Sequence, residues 1–321
     1  MEFRELRRAD LPSFEKVILQ GYGRFEAVTG IGDSATEQLR SLRNIGIWSL
    51  LRLLQALRIA NVRLLVAVEH DQVVGTAVLA SFSNAVYVGG VATDAAARGR
   101  GIASGVMELA RAKAHARGKP WLALDVESEN ETALRVYRRI GYTEVARWDW
   151  FVGPPPPSIL PAATVATEVP LKDRKTADWV NQTLPPAIRD PLPANARAVT
   201  HLEFFARPSK GRFKMWNLTS GDRVIGVVRG CFGPKIRVGF VLPVGVDPSL
   251  PLATLQALVA PAIEWHRSLG ATRIALAVRE PVGGWSAVAA SLGLPLGVTT
   301  TLMVRPSAPG SNPAPPAPRP S

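Results

Sequence analysis

The stretch Val91-Ala92-Thr93-Asp94-Ala95-Ala96-Ala97-Arg98-Gly99-Arg100-Gly101-Ile102-Ala103-Ser104 constrains this chain more than any other. An apolar segment at 85–91 leads into it and has the composition of a strand. A segment at 101–117 leads out of it, with Ile102, Val106, Leu109, Ala110 and Ala114 at helical spacing. Strand, short loop, glycine-rich turn and helix follow in that order. Gly99 and Gly101 lack a Cβ, so the backbone there can turn its N–H groups toward a ligand at close range. Those groups and the positive end of the new helix suit an anion, above all a pyrophosphate. Taken alone, the glycine pair is equally a tight strand-to-helix turn.

Further along, Asn130, Ala133, Tyr137, Gly141 and Tyr142 form N-x-x-A-x-x-x-Y-x-x-x-G-Y, just after a strand-like segment at 121–126. Together the two motifs resemble the GNAT superfamily, the GCN5-related N-acetyltransferases. Residues 98–103 are similar to its acetyl-CoA pyrophosphate loop, R/Q-x-x-G-x-G/A. The resemblance covers about residues 3–152, with Thr93 standing where the family often has proline.

The resemblance implies a set of roles. Acetyl-CoA would lie against Val91, Ala92 and Thr93 at the strand end, and against Arg98, Gly99, Arg100, Gly101, Ile102, Ala103 and Ser104 in the loop and first turn. Asn130 would hydrogen-bond the pantetheine chain, and as an asparagine before a helix it is equally an N-cap. An acceptor amine would attack the thioester carbon directly, with no covalent enzyme intermediate. Backbone N–H groups near 91–93 would stabilise the oxyanion. Tyr137 would give a proton or hydrogen bond to the departing CoA thiolate, since a phenol with an ordinary pKa of about 10 is protonated at neutral pH. The base is less well marked. Asp125 and Glu127 share a strand face, and Glu127, near the strand's end, is the candidate catalytic base, directly or through water. The alternative is a carboxylate that supports the sheet or faces solvent. Tyr22, Arg24 and Phe25 open a segment at 21–33 that reads as a loop. In the GNAT layout that segment overhangs the acceptor, so these three are candidates to line the substrate pocket.

Around this centre the pattern is regular. A long helical stretch runs over 36–60, strands at 62–68 and 73–81 make a hairpin, and a last strand covers 142–152. Gly153-Pro154-Pro155-Pro156-Pro157 is neither helix nor central strand and marks a stiff linker and domain boundary. The second half then repeats the first. Asp71-Gln72-Val73-Val74-Gly75 returns as Asp222-Arg223-Val224-Ile225-Gly226, and Leu122-Ala123-Leu124 as Ile274-Ala275-Leu276. The chemistry is not repeated. Pro248, Ser249, Leu250 and Pro251 stand opposite the 98–101 loop, Val282 opposite Asn130 and Ala289 opposite Tyr137. Pro251 has no N–H and no glycine remains, so the second copy is expected to be degenerate.

The fold class expected is therefore α/β (α+β), as two tandem GNAT-like domains, each a mixed, mostly antiparallel central sheet flanked by helices. The expected domains are 1–152, a linker at 153–165, a degenerate copy at 166–305 and a disordered tail at 306–321, rich in proline, alanine and serine.

Composition limits the other classes. A single cysteine, Cys231, excludes an internal disulfide, and the four histidines show no ligand spacing, so no metal is expected. The charged N-terminus does not read as a signal peptide, and no apolar run reaches the ~20 residues needed to span a bilayer. A cytoplasmic setting without membrane contact follows as the default. The net charge is +12, split as 20 Lys+Arg against 17 Asp+Glu over 1–153 and 18 against 9 beyond. No basic cluster with interleaved aromatics accompanies the excess, so a nucleic-acid partner is not expected. The functional expectation is an acetyl-CoA-dependent N-acetyltransferase with one active site, in the first domain. Its acceptor is a small-molecule or peptide primary amine, and the chain is a monomer or homodimer. The alternative is a non-catalytic acetyl-CoA sensor or interaction protein.

Overall fold

Residues 1–56, 61–157, 166–171, 173–193, 212–247, 249–279 and 284–308 are described by the computed structural model. In chain order the elements are β1 (Glu2–Glu5), α1 (Leu11–Gln20), α2 (Arg24–Thr29), α3 (Ile31–Ser41), α4 (Ile45–Ala56), β2 (Val62–Glu69), β3 (Gln72–Ser81), β4 (Ala85–Thr93), α5 (Ile102–His115), β5 (Trp121–Glu127), α6 (Glu131–Arg139) and β6 (Thr143–Gly153). There follow β7 (Thr167–Val169), α7 (Arg174–Thr183), α8 (Pro186–Arg189), β8 (Arg212–Ser220), β9 (Arg223–Gly233), β10 (Val238–Val246), α9 (Leu252–Ser268), β11 (Arg273–Arg279), α10 (Trp285–Ser291) and β12 (Leu296–Pro306). They divide into two compact units, one of residues 1–23, 32–145 and 301–321, the other of 24–31 and 146–300. Parts of the expected linker and tail, 158–165 and 309–321, lie outside the described residues, as do Pro248 and Val282.

In the first unit the strands run β1-β2-β3-β4-β5, then residues 301–306 of β12, then 143–145 of β6. Alternation along β2 shows why the sheet has a layer on each face. Leu65 and Ala67 pack with Ile102, Val106, Met107 and Ala110 of α5. Leu64, Val66 and Val68 pack with Leu11, Phe14, Val17 and Ile18 of α1. A period of two on the strand therefore feeds two cores, each closed by a helix with apolar residues at 3–4 spacing. The β2–β3 hairpin closes through His70 and Asp71, both with positive φ (48° and 58°), which a two-residue turn of the favoured hand requires. The last strand contributes Met303 to the α5 core, an Arg305 ion pair to Glu108 at 2.5 Å and a Ser128–Thr301 hydroxyl hydrogen bond at 2.7 Å.

In the second unit the order is residues 296–300 of β12, 146–153 of β6, then β11-β10-β9-β8-β7. Its β8–β9 hairpin, β10, α9 and parallel β11 follow the same plan as β2–β3, β4, α5 and β5. Each unit is thus a mixed α/β sheet: β1 to β4 and β7 to β10 pair antiparallel in turn, and β4 meets β5, as β10 meets β11, in parallel. Leu255, Leu258, Val259, Ala262 and Ile263 of α9 build the core with Ile274, Leu276 and Val278 of β11.

The structure corrects the expectation for 21–60. The segment at 21–33 is not a loop: it holds α2, closed by Gly30 at φ +70° and by Thr29 Oγ1 donating to the Phe25 carbonyl at 2.6 Å, and the start of α3. The expected long helix over 36–60 is broken at 42–44. There the backbone N–H groups of Leu42, Arg43 and Asn44 bond three residues back, and Asn44 Oδ1 then accepts from the N–H groups of Gly46 (2.9 Å) and Ile47 (3.3 Å). Asn44 is an N-cap, and its side chain makes a new helix start cheaper than continuing the old one.

His266 on α9 gives the second unit an acid-sensitive core. It is fully buried, with its ring against Gly239, where any Cβ would collide with it. Neither ring nitrogen has a well-formed hydrogen bond among the described residues. Burial lowers its pKa to about 4, opposed only in part by backbone groups of Cys231 and Ala262. Well above pH 6.5 neither folded nor unfolded chain protonates this group. Between pH 6.5 and about 4 only the unfolded chain does, so stability falls as pH falls. The loss expected from this residue is ~2 kcal/mol between pH 6.5 and 5. Denaturant unfolding at those two pH values should show this difference in the wild type and lose it in His266→Phe. An unchanged pH dependence in the variant contradicts the assignment.

Candidate active site

The cleft of the first unit opens because β4 leaves one neighbour while keeping the other. β4 pairs with β3 as far as Thr93, opposite Gly75. With β5 its parallel pairing covers only residues 85–87. Between those limits the β3–β4 register shifts: Thr76 faces Ala92 while Val78 faces Gly89, which leaves one extra residue on β4. Gly90 takes the bulge, at φ +55°, and its carbonyl accepts from Thr76 Oγ1 at 2.9 Å. A bulge bends its strand. Here it also allows close packing, since a Cβ on Gly90 would stand 2.8 Å from Ile18 Cδ1. The edge of β4 at Val91, Ala92 and Thr93 consequently lines a cleft of about 1000 Å³.

The glycine loop forms one wall. Gly99 and Gly101 both have positive φ (78° and 76°), the left-handed region that other residues enter at a cost. A Cβ at either would meet nothing within 4 Å, so backbone conformation, and not space, selects glycine here. Gly101 is the N-cap of α5 with no side-chain cap, and the first helical bond is Gly105 N–H to the Gly101 carbonyl at 3.0 Å. The N–H groups of Ile102, Ala103 and Ser104 therefore have no intrahelical partner, and the helix end carries a partial charge of roughly +0.5. Ser104 Oγ is buried, lines the cleft and has no hydrogen-bond partner among the described residues. Gly75 on β3 lets this helix end approach the sheet, because a Cβ there would collide with Ile102 Cγ2.

Helix α6 forms the opposite wall. Asn130, Ala133 and Tyr137 stand on its cleft-lining side with Val136. Asn130 Oδ1 accepts from the Ala133 N–H at 3.1 Å, so the N-cap role is filled, and its amide nitrogen is the atom left to face a ligand. Tyr137 is 7% exposed, with its ring 5.8 Å from that of Tyr142. Desolvation raises its pKa well above the ordinary phenol value. Tyr137 thus holds its proton throughout the neutral range.

Of the residues singled out from sequence, Tyr22, Val91, Ala92, Thr93, Arg98, Gly99, Gly101, Ile102, Ala103, Ser104, Asn130 and Tyr137 meet in this one cleft. The Arg100 side chain instead turns to Glu69, with nitrogen–oxygen distances of 2.6 and 2.9 Å. Arg24 and Phe25 lie on α2 in the second unit, where Phe25 packs edge-to-face on Trp150 at 4.8 Å. Glu127 is not among the cleft-lining residues, but its carboxylate lies against Gly23, which is. Sequence reasoning missed Gly90, whose signal was two adjacent glycines inside a strand. It also missed Thr132, Arg135 and Arg139, which line the cleft from α6.

Residues 35–142, within the first unit, match the family model described as Acetyltransferase (GNAT) family. Residues 35–142 are a GNAT domain. The GNAT fold extends over nearly the whole chain. A GCN5-related N-acetyltransferase from Sphaerobacter thermophilus aligns over 97% of both chains at 17% identity, with a TM-score of 0.58. A tandem GNAT protein from the clavulanic acid biosynthesis pathway aligns over 97% of this chain and 99% of its own at 14% identity, with a TM-score of 0.55. A putative acetyltransferase from Pyrococcus horikoshii covers 96% of this chain and 89% of its own at 16% identity, with a TM-score of 0.51. At these identities the likeness is one of fold. No curated protein matches the sequence. Among the described residues, no helix is long and apolar enough to cross a membrane.

Proposed function

We propose that the chain is an acetyl-CoA-dependent N-acetyltransferase with a single working site, in the GNAT domain. One observation carries this reading: a doubly left-handed glycine loop at a helix N-terminus and a buried, protonated tyrosine share one cleft beside an opened strand edge.

In this reading the pyrophosphate sits at Gly99–Gly101 and the free N–H groups of Ile102, Ala103 and Ser104, with Ser104 Oγ as a further donor. The pantetheine arm adds to the edge of β4 and receives the Asn130 amide. The acceptor amine attacks the thioester carbon in its neutral form. Backbone N–H groups at 91–93 stabilise the charge that develops on the carbonyl oxygen. The C–S bond then breaks and the sulfur leaves as a thiolate. Tyr137 donates a hydrogen bond to that sulfur. A buried phenol is a weaker acid than a thiol with a pKa of about 8.5, so stabilisation by hydrogen bonding, and not full proton transfer, is its task. The carboxylate of Glu127, beside Gly23, accepts the amine proton directly or through water. The fit of the donor set supports acetyl-CoA as the group held: the uncapped helix end lines the open cleft, and Ser104, also in the lining, has a hydroxyl with no partner among the described residues.

The second unit is assigned no catalytic site. Helix α9 has Pro251 as its N-cap, Leu250 packs into the core, and Ser249 gives both its N–H (3.1 Å) and its hydroxyl (2.7 Å) to Asp247. A carboxylate thus stands where the first unit offers free donors.

The test is a screen of primary amines with acetyl-CoA, read by thiol release. Transfer to at least one class of amine, abolished by changes in the first-unit cleft, is expected. Tight acetyl-CoA binding with no transfer to any amine would favour a sensor.

A further inference from the structure

The cleft carries more positive charge than its glycine loop accounts for. Its lining includes Arg98, Arg135 and Arg139 and not one aspartate or glutamate. None of the three has a carboxylate within ion-pair distance among the described residues. Arg135 reaches only Thr132 Oγ1, at 3.5 Å. This is unusual for the surroundings. Arg138, between them on the same helix, binds Glu144 through two nitrogens at 2.6 and 2.8 Å, Arg100 binds Glu69 and Arg111 binds Glu108. Arg135 and Arg139 are four residues apart, so their side chains are neighbours on one side of α6, beside Thr132 and Val136 of the lining. Arg98 precedes the glycine loop and belongs with the pyrophosphate. The pair on α6 is left over.

We infer that Arg135 and Arg139 form a phosphate-monoester site that holds the 3′-phosphate of the CoA ribose and makes the protein select CoA over dephospho-CoA. This rests on the reading of the cleft as a CoA site. A phosphate monoester carries about −1.5 to −2 charges at neutral pH, which two guanidinium groups match. Arginine forks bind such oxygens with paired, charge-assisted hydrogen bonds. Neither side chain must break an ion pair to do so. Both are exposed, so both can be changed without opening the core.

The experiment is titration calorimetry of the full chain with CoA and with dephospho-CoA. The variants are Arg135→Gln/Arg139→Gln, the two single changes and Arg138→Gln. The wild type is expected to bind CoA at least about tenfold more tightly than dephospho-CoA. The double variant should bind the two equally, with its affinity for dephospho-CoA unchanged, and the single variants should fall between. Arg138→Gln, which removes the ion pairs to Glu144 and Glu131 and leaves the cleft lining unchanged, should keep the wild-type preference. Added salt should weaken CoA binding more than dephospho-CoA binding. Equal affinity of the wild type for both ligands, or equal weakening of both in the double variant, overturns the inference while leaving the CoA site intact. Binding of neither ligand overturns the proposed function and this inference with it.

Discussion

Replacing Gly99 and Gly101 together by glutamate is expected to weaken acetyl-CoA binding by on the order of a thousandfold. Two costs combine. Each glycine sits in the left-handed region, where a non-glycine residue costs about 1–3 kcal/mol or forces the peptide to turn. A turned peptide aims its N–H away from the ligand. The new carboxylates then stand beside phosphates of the same sign. The fold itself should survive, because a Cβ at either position meets nothing within 4 Å and both residues are exposed. Circular dichroism and the melting temperature should therefore change little while calorimetric binding disappears. Retained affinity would place the anion elsewhere.

The second large effect belongs to Tyr137→Phe. Removing one hydroxyl should lower kcat by on the order of 10²–10³ and leave acetyl-CoA affinity within about threefold of the wild type. The ring is buried against Tyr142 and the α5 core, and phenylalanine keeps that packing. The split between kcat and binding separates a group that acts on the leaving sulfur from one that merely packs. The raised pKa adds a condition: Tyr137 should not produce a descending limb in the pH profile below about pH 10, since burial holds its proton. An unchanged kcat would leave Tyr137 as a packing residue.

Much of the candidate site was legible because its requirements are local. Glycines that must be left-handed, a helix that starts beside them and an Asn-Ala-Tyr face at helical spacing leave marks within a few residues. The duplication was legible for the same reason: hairpin, strand and helix patterns recur at a near-constant offset. What the sequence hid depends on distant pairing. Nothing near Met303 says that it enters the core of the first unit, because that placement follows from where β12 pairs. Phe25 reads like any loop aromatic, yet its partner, Trp150, lies far along the chain. The break between α3 and α4 had a local signal in Asn44, outweighed by the apolar periodicity on either side. Arg135 and Arg139 carry a third kind of information. Their meaning lies in missing partners, and a sequence does not state which arginine finds a carboxylate.

One CoA site per chain, at the first-unit loop, underlies both expected effects. Titration calorimetry with acetyl-CoA on the wild type, beside the Gly99→Glu, Gly101→Glu variant, tests it most directly. A stoichiometry of one is expected for the wild type and no measurable binding for the variant. Two sites per chain would show that the second unit, despite Pro251 and Asp247, holds cofactor as well, and no binding by the wild type would contradict the transferase reading altogether.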